Sequence, residues 1–466
     1  MKPLNKIKQF LFVLIAVISN TLAAQDIIPQ PNKDKIDSTT LYKTDIEELY
    51  KLKPIDKGEA SISIAGFKST TLRESPGIVT LILGEEIKNS GAKDLVDVLR
   101  SVPGFDFALD VTPTLTVRGN TAHEAKILLL LDGHQINDVS LGYTLVFQRF
   151  PLSHIDRIEI IRGAGSAIYG GMAGLAVINI ISRKPTSTQE VGFSSVFGNT
   201  TPTTLMRNNV EAYALTKFSN GLEVSLSGYR IEGKPSDRNI EKGGLYDEFI
   251  DFKKRFNIKS TGFNVGIKFK KLDIGFMQNT YTTTLPQLGN ANINVNGLFF
   301  NIGYRFDLGE KFVLYTKLNI KEQNPYNFSD IPLVPAIFNP SGTARLELIT
   351  VSNTKDRRIS LNAYGIYQAS ENVMITIGTE SYLDNTNYVS STQKFLSGAS
   401  SINYQNIGVF AETSIKSQIA NITIGARLDK YTNVEAVVVP RIAITRAFEN
   451  VHVKAHYTQA IKTPTI

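Results

Sequence analysis

The five histidines are the side chains of this 466-residue chain best suited to metal binding or acid–base catalysis. They are His123, His134, His154, His452 and His456, and no two of them frame an H-E-x-x-H motif. The chain has no cysteine, which excludes a disulfide framework, a thiolate metal site and a thiol nucleophile. Because no catalytic triad or metal-ligand set can be assembled, we predict no enzyme activity, no metal and no cofactor. His452 and His456 share one strand face, and a haem or metal role for this pair is the weaker alternative.

Glycines, rather than catalytic side chains, mark the most informative part of the sequence. Gly163-x-Gly165-x-x-Ile168 follows a predicted strand and imitates a dinucleotide-binding loop. The third glycine of that motif is missing, however, and no βαβ unit surrounds it. We predict instead that the local glycines permit tight backbone turns. These turn positions are Gly133, Gly163, Gly165, Gly170, Gly171 and Gly174.

The N-terminus has the features of a secretory signal peptide. Lys2, Lys6 and Lys8 precede an apolar run over residues 10–18, and small residues follow up to position 24. That run is too short to cross about 30 Å of hydrocarbon as a helix. We therefore predict that residues 1–24 are a cleaved signal peptide. Loss of its three lysines lowers the formal net charge from +7 to +4, and the remaining charges are interspersed, so no nucleic-acid partner is expected.

Residues 25–70 and 71–185 differ in composition. The first stretch is polar up to residue 57 and is typical of a mobile periplasmic arm, with a short helix near residues 45–52. The second stretch predicts a compact α+β domain, because short apolar strands and helices alternate there. The predicted strands are at 78–83, 115–118, 126–131, 157–161 and 176–182, and the predicted helices are at 85–90 and 92–101.

From residue 190 onward, long runs alternate between apolar and polar residues. Tight turns near 219–221, 270–271, 307–310, 369–372, 416–419 and 448–450 separate long polar loops near 231–255, 282–294, 324–344 and 385–402. A soluble β-sandwich also has alternating strands, but short turns that alternate with long loops are typical of bacterial outer-membrane barrels. Roughly 13 strands fit between residues 190 and 466, whereas plugged transporter barrels have about 22. Because an open edge cannot sit in lipid, we expect the chain to be truncated within the barrel.

Several motifs, in order, resemble those of TonB-dependent outer-membrane receptors. TLRESPGIVTLILGEEIKNSGAKDLVDVLRSVPGFDF (71–107), TVRGN (116–120), LLLLDGHQIND (128–138) and IDRIEIIRGAGSAIYGGMAGLAVINIISRKP (155–185) are similar to the family's plug. IGARLDKYTN and VVPRIAITRAFENVHVKAHYTQAIKTPT resemble its barrel strands. The resemblance implies an N-terminal α+β plug domain (71–185) inside a transmembrane antiparallel β-barrel (190–466), surrounded by outer-membrane lipid.

The resemblance also implies functional residues. Arg118 and Arg162 match the family's two plug arginines, which pair with acidic barrel residues as a breakable latch; the chain has Arg-Gly-Ala at 162–164 where the family often has Arg-Gly-Pro. Ligand contacts in the family come from plug apices and external loops, and Tyr143 is the best candidate here, followed by Phe107. A TonB box, which can add as a strand to the C-terminal domain of TonB, is resembled by Ala60, Ser61, Ile62, Ser63 and Ile64. The alternative is that this segment is the first plug strand.

The function that the resemblance implies is active transport across the outer membrane. TonB in the periplasm would move the plug, and a scarce small-molecule ligand would then enter the periplasm. A ferric siderophore is the leading expectation, and cobalamin, haem or a carbohydrate are alternatives. A passive porin or adhesin barrel is a further alternative, but such a protein has no need of a plug.

Overall fold

The structure is a computed structural model that describes residues 57–67, 69–109, 113–121, 125–143, 146, 148–186, 188–201, 204–234, 239–240, 250–251, 257–285, 291–329, 353–389, 394–395, 397–449 and 451–462. The predicted signal peptide, the predicted helix near residues 45–52 and most of the predicted loops at 231–255 and 324–344 lie outside the described residues. No described helix is long and apolar enough to span a membrane.

The N-terminal part of the fold, residues 57–186, is an α+β plug. It contains β1 (Ser61–Ile62), β2 (Thr70–Thr71), β3 (Val79–Leu83), α1 (Gly84–Asn89), α2 (Leu95–Arg100), β4 (Phe105–Leu109), β5 (Pro113–Val117), β6 (Asn120–Thr121), β7 (Ile127–Leu131), β8 (His134–Gln135), β9 (Ile155–Arg162), α3 (Ser166–Tyr169) and β10 (Ala176–Ser182). Its main sheet has the order β3-β9-β10-β7-β8, in which only β10 and β7 are parallel. β4, β5 and β6 form a second, three-stranded sheet.

The centre of the main sheet follows from two continuous apolar runs. β7 (ILLLL) and β10 (AVINIIS) are buried on both faces, as expected for parallel neighbours. Ile178 of β10 lies in register with Leu129 of β7 and Ile160 of β9, and all three side chains are fully buried. One core cluster formed by these strands and α2 also contains Met277 and Phe299 from the surrounding barrel.

The helix predicted at 92–101 begins later, at Leu95, because Asp94 caps it. The Asp94 carboxylate accepts a hydrogen bond from the backbone N–H of Asp97 at 3.1 Å, which satisfies a donor that has no intrahelical partner. The predicted apolar stripe is confirmed, since Leu95, Val96, Val98 and Leu99 are all buried.

The second part is a 13-stranded antiparallel sheet, the barrel sheet, which agrees with the predicted strand count. Its strands are β11 (Gln189–Thr201), β12 (Thr204–Lys217), β13 (Leu222–Gly233), β16 (Ile258–Phe269), β17 (Leu272–Leu285), β18 (Ala291–Asp307), β19 (Phe312–Ser329), β20 (Thr354–Ser370), β21 (Val373–Tyr388), β22 (Ser401–Ile415), β23 (Asn421–Tyr431), β24 (Val437–Ala447) and β25 (His452–Thr458). Between β13 and β16, β14 (Asn239–Ile240) pairs with β15 (Ile250–Asp251).

Several strands extend further than their apolar residues predict. Most of the loop expected at 282–294 is strand, because polar residues continue the ladder between β17, which ends at Leu285, and β18, which begins at Ala291. The hydroxyl of Thr282 donates to Asn294 Oδ1 at 2.9 Å, and that of Thr284 donates to Asn292 Oδ1 at 2.7 Å. Such cross-strand pairs stabilise a sheet without apolar burial. The predicted alternation of long and short connections is therefore less strict than expected.

We predict that Ile178→Ala will loosen the plug core. Deleting most of this fully buried side chain leaves a cavity, and such a change costs about 2–5 kcal/mol. Because the chain has no tryptophan, hydrogen–deuterium exchange of the β7 and β10 amides is a suitable measurement. Ile419→Ala is the control, since Ile419 is 85 % exposed in the turn between β22 and β23. Equal exchange in both variants would contradict the assigned core.

Candidate functional site

The segment Ala60–Ile64 is docked on the plug. Ser61 pairs with Thr71 and Ile62 pairs with Thr70, so β1 and β2 form a short antiparallel ladder. Ile62 and Ile64 are each 1 % exposed and belong to a core cluster with Leu81, Leu128 and Val177. The segment thus occupies the position of a first plug strand, which is the alternative stated for it above. Its alternating apolar side chains pack into the plug core.

Glu159 of β9 holds this segment from inside the plug. Its fully buried carboxylate accepts hydrogen bonds from the backbone N–H groups of Ser63 at 3.0 Å and Ile64 at 2.9 Å, both through Oε2. Its Oε1 accepts from Arg157 Nε at 2.8 Å. The Tyr169 hydroxyl donates to the Ile64 carbonyl at 3.0 Å, and burial raises the pKa of this tyrosine, so it remains a donor. Charge-assisted bonds of this kind are stronger than neutral ones.

The two predicted latch arginines lie close together. Arg118 is exposed, has a positive φ of 51°, and donates from Nη2 to the Arg162 carbonyl at 3.4 Å. Neither guanidinium forms an ion pair with a barrel carboxylate within the described residues. Arg162 lines a small cleft with Arg441 and His456 of the barrel sheet. The proposed pairing of these plug arginines with acidic barrel residues stays a prediction.

A different set of arginines joins the barrel sheet to the plug. Arg441 of β24 forms an ion pair with Glu412 of β22 at 2.9 Å. Its Nη2 donates to the carbonyl oxygen of Ala65, directly after the docked segment, at 2.7 Å. The same Nη2 donates to the Pro76 carbonyl at 3.0 Å. Lys454 of β25 donates in the same way to the Leu72 carbonyl at 2.7 Å.

Arg427 of β23 and Arg358 of β20 repeat this arrangement. Arg427 is held by Asp429 at 2.7 Å and Glu380 at 2.9 Å, and its Nη1 donates to the Ile168 carbonyl of α3 at 3.4 Å.

Arg358 makes two bonds of 2.6 Å to Asp384 and donates to Gln135 Oε1 of β8 at 2.7 Å. In Arg358, Arg427 and Arg441 alike, a barrel carboxylate neutralises the arginine, and the remaining donors bind plug oxygens. The sequence analysis missed these three residues, although strand parity offered a signal, since arginine and aspartate two residues apart in ARLD share one strand face.

The predicted turn glycines differ in backbone conformation and in the space around them. Gly133, Gly163 and Gly170 have positive φ angles of 75°, 138° and 73°, which favour glycine. A Cβ at Gly170 would also stand 3.1 Å from Arg427 Nη2, so this turn does approach the barrel wall. Gly165 is limited by the plug itself, because a Cβ there would lie 2.7 Å from Val177 Cγ2. Gly174 has ordinary space around a Cβ, and Gly171 lines the cavity described below.

The two predicted ligand contacts lie apart in the plug. Phe107 is a half-buried residue of β4 with the Arg100 guanidinium 5.5 Å from its ring centre. Tyr143 is half-buried in the loop after β8, and its backbone N–H donates to Asp138 Oδ2 at 2.8 Å. Oδ1 of Asp138 accepts from the N–H of Leu141 at 2.6 Å. The Asp138 carboxylate therefore shapes the loop that presents Tyr143, and burial raises its pKa.

His134 and His154, the two plug histidines that the structure describes, are buried and uncharged. Burial lowers the pKa of His134 to about 3 and that of His154 to about 4, so both are neutral near pH 7. His134 packs edge-on against Phe299 of the barrel sheet, with ring centres 6.4 Å apart. His456 lies beside Arg441 at the small cleft, on the plug-facing side of β25. His123 lies outside the described residues.

Comparisons with known proteins match both parts of the chain. Residues 71–177 match the model of the TonB-dependent receptor plug domain. The chain is 28 % identical over 200 residues to the vitamin B12 transporter BtuB of Vibrio vulnificus, which covers 41 % of this chain and 32 % of that protein. Among solved structures, the siderophore receptor PirA of Acinetobacter baumannii has a TM-score of 0.64 at 17 % identity, over 83 % of this chain and 61 % of that one. The ferric enterobactin receptor PfeA of Pseudomonas aeruginosa has a TM-score of 0.66 at 16 % identity, over 84 % of this chain and 63 % of that one.

The chain carries a TonB-dependent receptor plug domain, and its fold is that of a TonB-dependent outer-membrane receptor. The family's plug and strands of its barrel account for the two parts of the fold, and the bacterial outer membrane is its location. The receptor chain spans about a third of the length of the curated relative and less than two thirds of the length of these structural relatives.

A cavity of about 190 Å³ lies between the receptor's plug and its barrel wall. Plug residues Gln135, Gly170 and Met172 form one side, and Arg358 and Arg427 stand among the barrel residues opposite. Gln135 links the two sides through its bond to Arg358. This cavity lies at the interface along which the plug would have to separate from the barrel wall.

We predict that Arg441→Ala will free the plug segment around Ala65 and Pro76. The change removes the donor to both carbonyls and leaves the Glu412 carboxylate buried without its partner, so a cost of about 2–4 kcal/mol is expected. Faster hydrogen–deuterium exchange over residues 60–78 would measure the effect. Glu412→Gln added to Arg441→Ala should recover part of the loss, because the stranded charge is removed.

The matched control for this change is Arg230→Ala. Arg230 forms an ion pair with Glu232 at 2.7 Å, but its side chain is 60 % exposed. Exposed pairs contribute about 0–1 kcal/mol, so exchange over residues 60–78 should stay at the wild-type rate. An equal effect of Arg230→Ala and Arg441→Ala would contradict a specific role of Arg441.

Proposed function

We propose that this receptor imports a scarce small-molecule ligand across the outer membrane, driven by TonB, and that the ligand is a ferric siderophore. The observation that carries the proposal is the way in which the plug is bound to the wall. Arg358, Arg427 and Arg441 keep their carboxylate partners inside the barrel sheet and give only spare hydrogen bonds to plug oxygens. These three arginines therefore keep their charge partners when the plug moves, whereas Arg207 of β12, which pairs with Asp94 of the plug at 3.3 Å, would lose its partner.

The small volume of the cavity between plug and wall supports a plug that must move. Drug-sized ligands occupy pockets of about 300–1,000 Å³, whereas the cavity between plug and wall has about 190 Å³. The cavity is smaller than this range, which supports a plug that moves before a ferric siderophore or cobalamin passes. A passive porin or adhesin has no use for such an obstruction, which favours active transport over both.

The choice of ligand rests on the relatives. PirA is named as a siderophore receptor and PfeA as a ferric enterobactin receptor, and one PfeA structure was determined in complex with enterobactin. BtuB is named as a vitamin B12 transporter, which makes cobalamin the second candidate. Haem and carbohydrates are further alternatives. We propose that Tyr143 and Phe107 contact the ligand, because each carries a half-buried aromatic ring on a plug loop or hairpin.

In this proposal, the N-terminal region serves in export of the protein and in energy input from TonB. Residues 1–24 direct secretion, and residues 25–57 form the periplasmic arm. The C-terminal domain of TonB is the proposed partner of Ala60–Ile64. Because Glu159 and β2 hold this segment, it must first leave the plug before it can add as a strand to TonB. Arg118 and Arg162 are proposed to pair with barrel carboxylates as a second fastening.

The transport proposal predicts uptake that depends on TonB. In iron-starved cells of the native host, deletion of the receptor gene should lower uptake of a ⁵⁵Fe-labelled siderophore. Loss of TonB should abolish the receptor-dependent part of that uptake. Labelled cobalamin and haem are tested in parallel under the same conditions. Receptor-dependent uptake of cobalamin alone would replace the siderophore with the second candidate. Uptake that survives the loss of TonB would refute active transport.

The TonB-box proposal predicts that Glu159→Gln will strengthen TonB binding by the ligand-free receptor. Glutamine keeps the shape but loses the charge that strengthens the bonds to Ser63 and Ile64, a difference of about 1–2 kcal/mol. Release of the segment should then become about tenfold more favourable. Titration of the receptor in detergent micelles with the purified TonB C-terminal domain measures the apparent affinity.

Glu85→Gln is the control for this experiment, because Glu85 is exposed in the first turn of α1. Its TonB affinity should equal that of the wild type. Unchanged affinity in Glu159→Gln, together with faster amide exchange at residues 60–64, would show that the segment is released but does not bind TonB.

A further inference from the structure

The plug is attached to the barrel sheet at one side by the chain itself. β10 ends at Ser182 and β11 begins at Gln189, so a short connection leads from the plug into the first strand of the barrel sheet. In this region Arg183 forms an ion pair with Glu190 of β11 at 3.7 Å. The end of β10 must stay near β11 during any plug movement, because an extended chain spans at most about 3.3–3.6 Å per residue.

Charged contacts to the plug lie next to this attachment, on β12, which pairs with β11. Arg207 of β12 forms an ion pair with Asp94 of the plug at 3.3 Å, and both side chains are buried. Glu211, on the same face of β12, is also buried and accepts a hydrogen bond from the backbone N–H of Ser153 of the plug at 3.0 Å. Separation at β12 would break the ion pair and remove a donor from a buried carboxylate, which is strongly unfavourable. We call β11 and β12 the attached side.

Further along the barrel sheet, on β20, β23 and β24, the buried arginines of the wall contact uncharged plug atoms. Arg358, Arg427 and Arg441 donate to an amide oxygen or to carbonyl oxygens of the plug. Their ion pairs stay intact when these contacts break, because the partner carboxylates belong to the wall. We call β20–β24 the releasable side.

Exposed ion pairs do not change this contrast. Lys416, in the turn after β22, pairs with Glu74 of the plug at 3.3 Å, but 62 % of the lysine side chain is exposed. Such exposed pairs contribute little to stability. Among the described residues, Arg207 and Asp94 form the one ion pair between plug and barrel sheet in which both side chains are buried.

The cavity between plug and wall lies at the releasable side. Arg358, Glu380, Asn406 and Arg427, from β20, β21, β22 and β23, line its wall, and Met172 lines it from the plug. No lining residue comes from β11 or β12 in the described part of the chain. Separation of plug and wall at the releasable side would therefore widen a space that already exists.

The docked segment is followed by contacts to the same side. The Phe67 ring stacks on the Phe410 ring of β22, with ring centres 4.3 Å apart. Arg441 of β24 binds the Ala65 carbonyl, as described above. A pull on residues 60–64 therefore acts first on contacts to the releasable side, which involve a ring and uncharged oxygen atoms.

We propose that the ligand crosses the barrel between the plug and strands β20–β23, along this cavity, while the plug stays attached to β11 and β12. This inference rests on the transport function proposed above and assigns its route. The contacts of Arg358 and Arg427 with the plug break on this route, whereas the Arg207–Asp94 pair holds the plug at the other side. The guanidinium, carboxylate and amide groups of the opened wall suit a ligand that carries many hydrogen-bonding oxygens.

Reversible tethers test the route, since the chain has no cysteine of its own. Met172→Cys with Ser360→Cys places one thiol on each side of the cavity. Ser153→Cys with Asn209→Cys places two thiols across the attached side, because Asn209 shares the strand face of Glu211. Cells that carry each full-length double variant are treated with a reducible bis-methanethiosulfonate cross-linker. TonB-dependent uptake of a ⁵⁵Fe-labelled siderophore, with labelled cobalamin in parallel, is measured before treatment, after treatment and after reduction.

The two tethers should act differently. The tether between positions 172 and 360 should abolish uptake, and reduction should restore it, because the releasable side can no longer open. The tether between positions 153 and 209 should leave uptake at the level of untreated cells. Loss of uptake with both tethers, or with the tether at positions 153 and 209 alone, would overturn the proposed route.

Labelling of single cysteines gives a second readout that needs no tether. Ser360→Cys and Asn209→Cys both stand at buried positions of the wall, 9 % and 6 % exposed. During uptake, a maleimide should label Ser360→Cys faster than in cells without TonB, while labelling of Asn209→Cys stays unchanged. Equal acceleration at both positions, or acceleration at Asn209→Cys alone, would contradict the route. Absence of TonB-dependent uptake in the wild type would instead refute the transport function.

Discussion

The plug–wall interface depends on one electrostatic feature: of the four buried arginines described in the wall, three are paired with wall carboxylates and one, Arg207, is paired with Asp94 of the plug. The wall carboxylates are Asp384 for Arg358, Glu380 with Asp429 for Arg427, and Glu412 for Arg441. To Arg358, Arg427 and Arg441 the plug offers carbonyl and amide oxygens, which are acceptors without net charge. At these three positions the costly desolvation of charges stays within the barrel sheet, so the contacts can stabilise the interface and still separate.

Local sequence patterns were sufficient to predict the elements and the architecture. The apolar runs of β7 and β10, the stripe of α2 and the thirteen barrel strands all follow from periodicity and turn residues. Boundaries were less predictable where polar residues decided them. Asp94 shortens a helix by capping it, and threonine–asparagine pairs lengthen β17 and β18 beyond their apolar stretch.

The candidate site was harder to predict because its partners are far apart in sequence. Arg441 meets Ala65 across 376 residues, and Glu159 meets Ser63 across 96. Periodicity assigns such residues to a strand face but cannot say which carbonyl they face. The motif that contains Arg162 was visible in the sequence. The role of Glu159, three residues earlier in the same motif, was not, because it depends on the position of the docked segment in the folded chain.

The order of strands in the plug sheet also sets its response to mechanical load. β3 is an edge strand that pairs only with β9, whereas β10 is held on both sides by β7 and β9. Tension applied to the chain ahead of residue 60 would peel β1 from β2 and then unzip β3 one residue pair at a time. The β7–β10–β9 centre would bear the load only after that, with two ladders to break at once. The plug is therefore mechanically graded, with a compliant leading end and a stiff remainder.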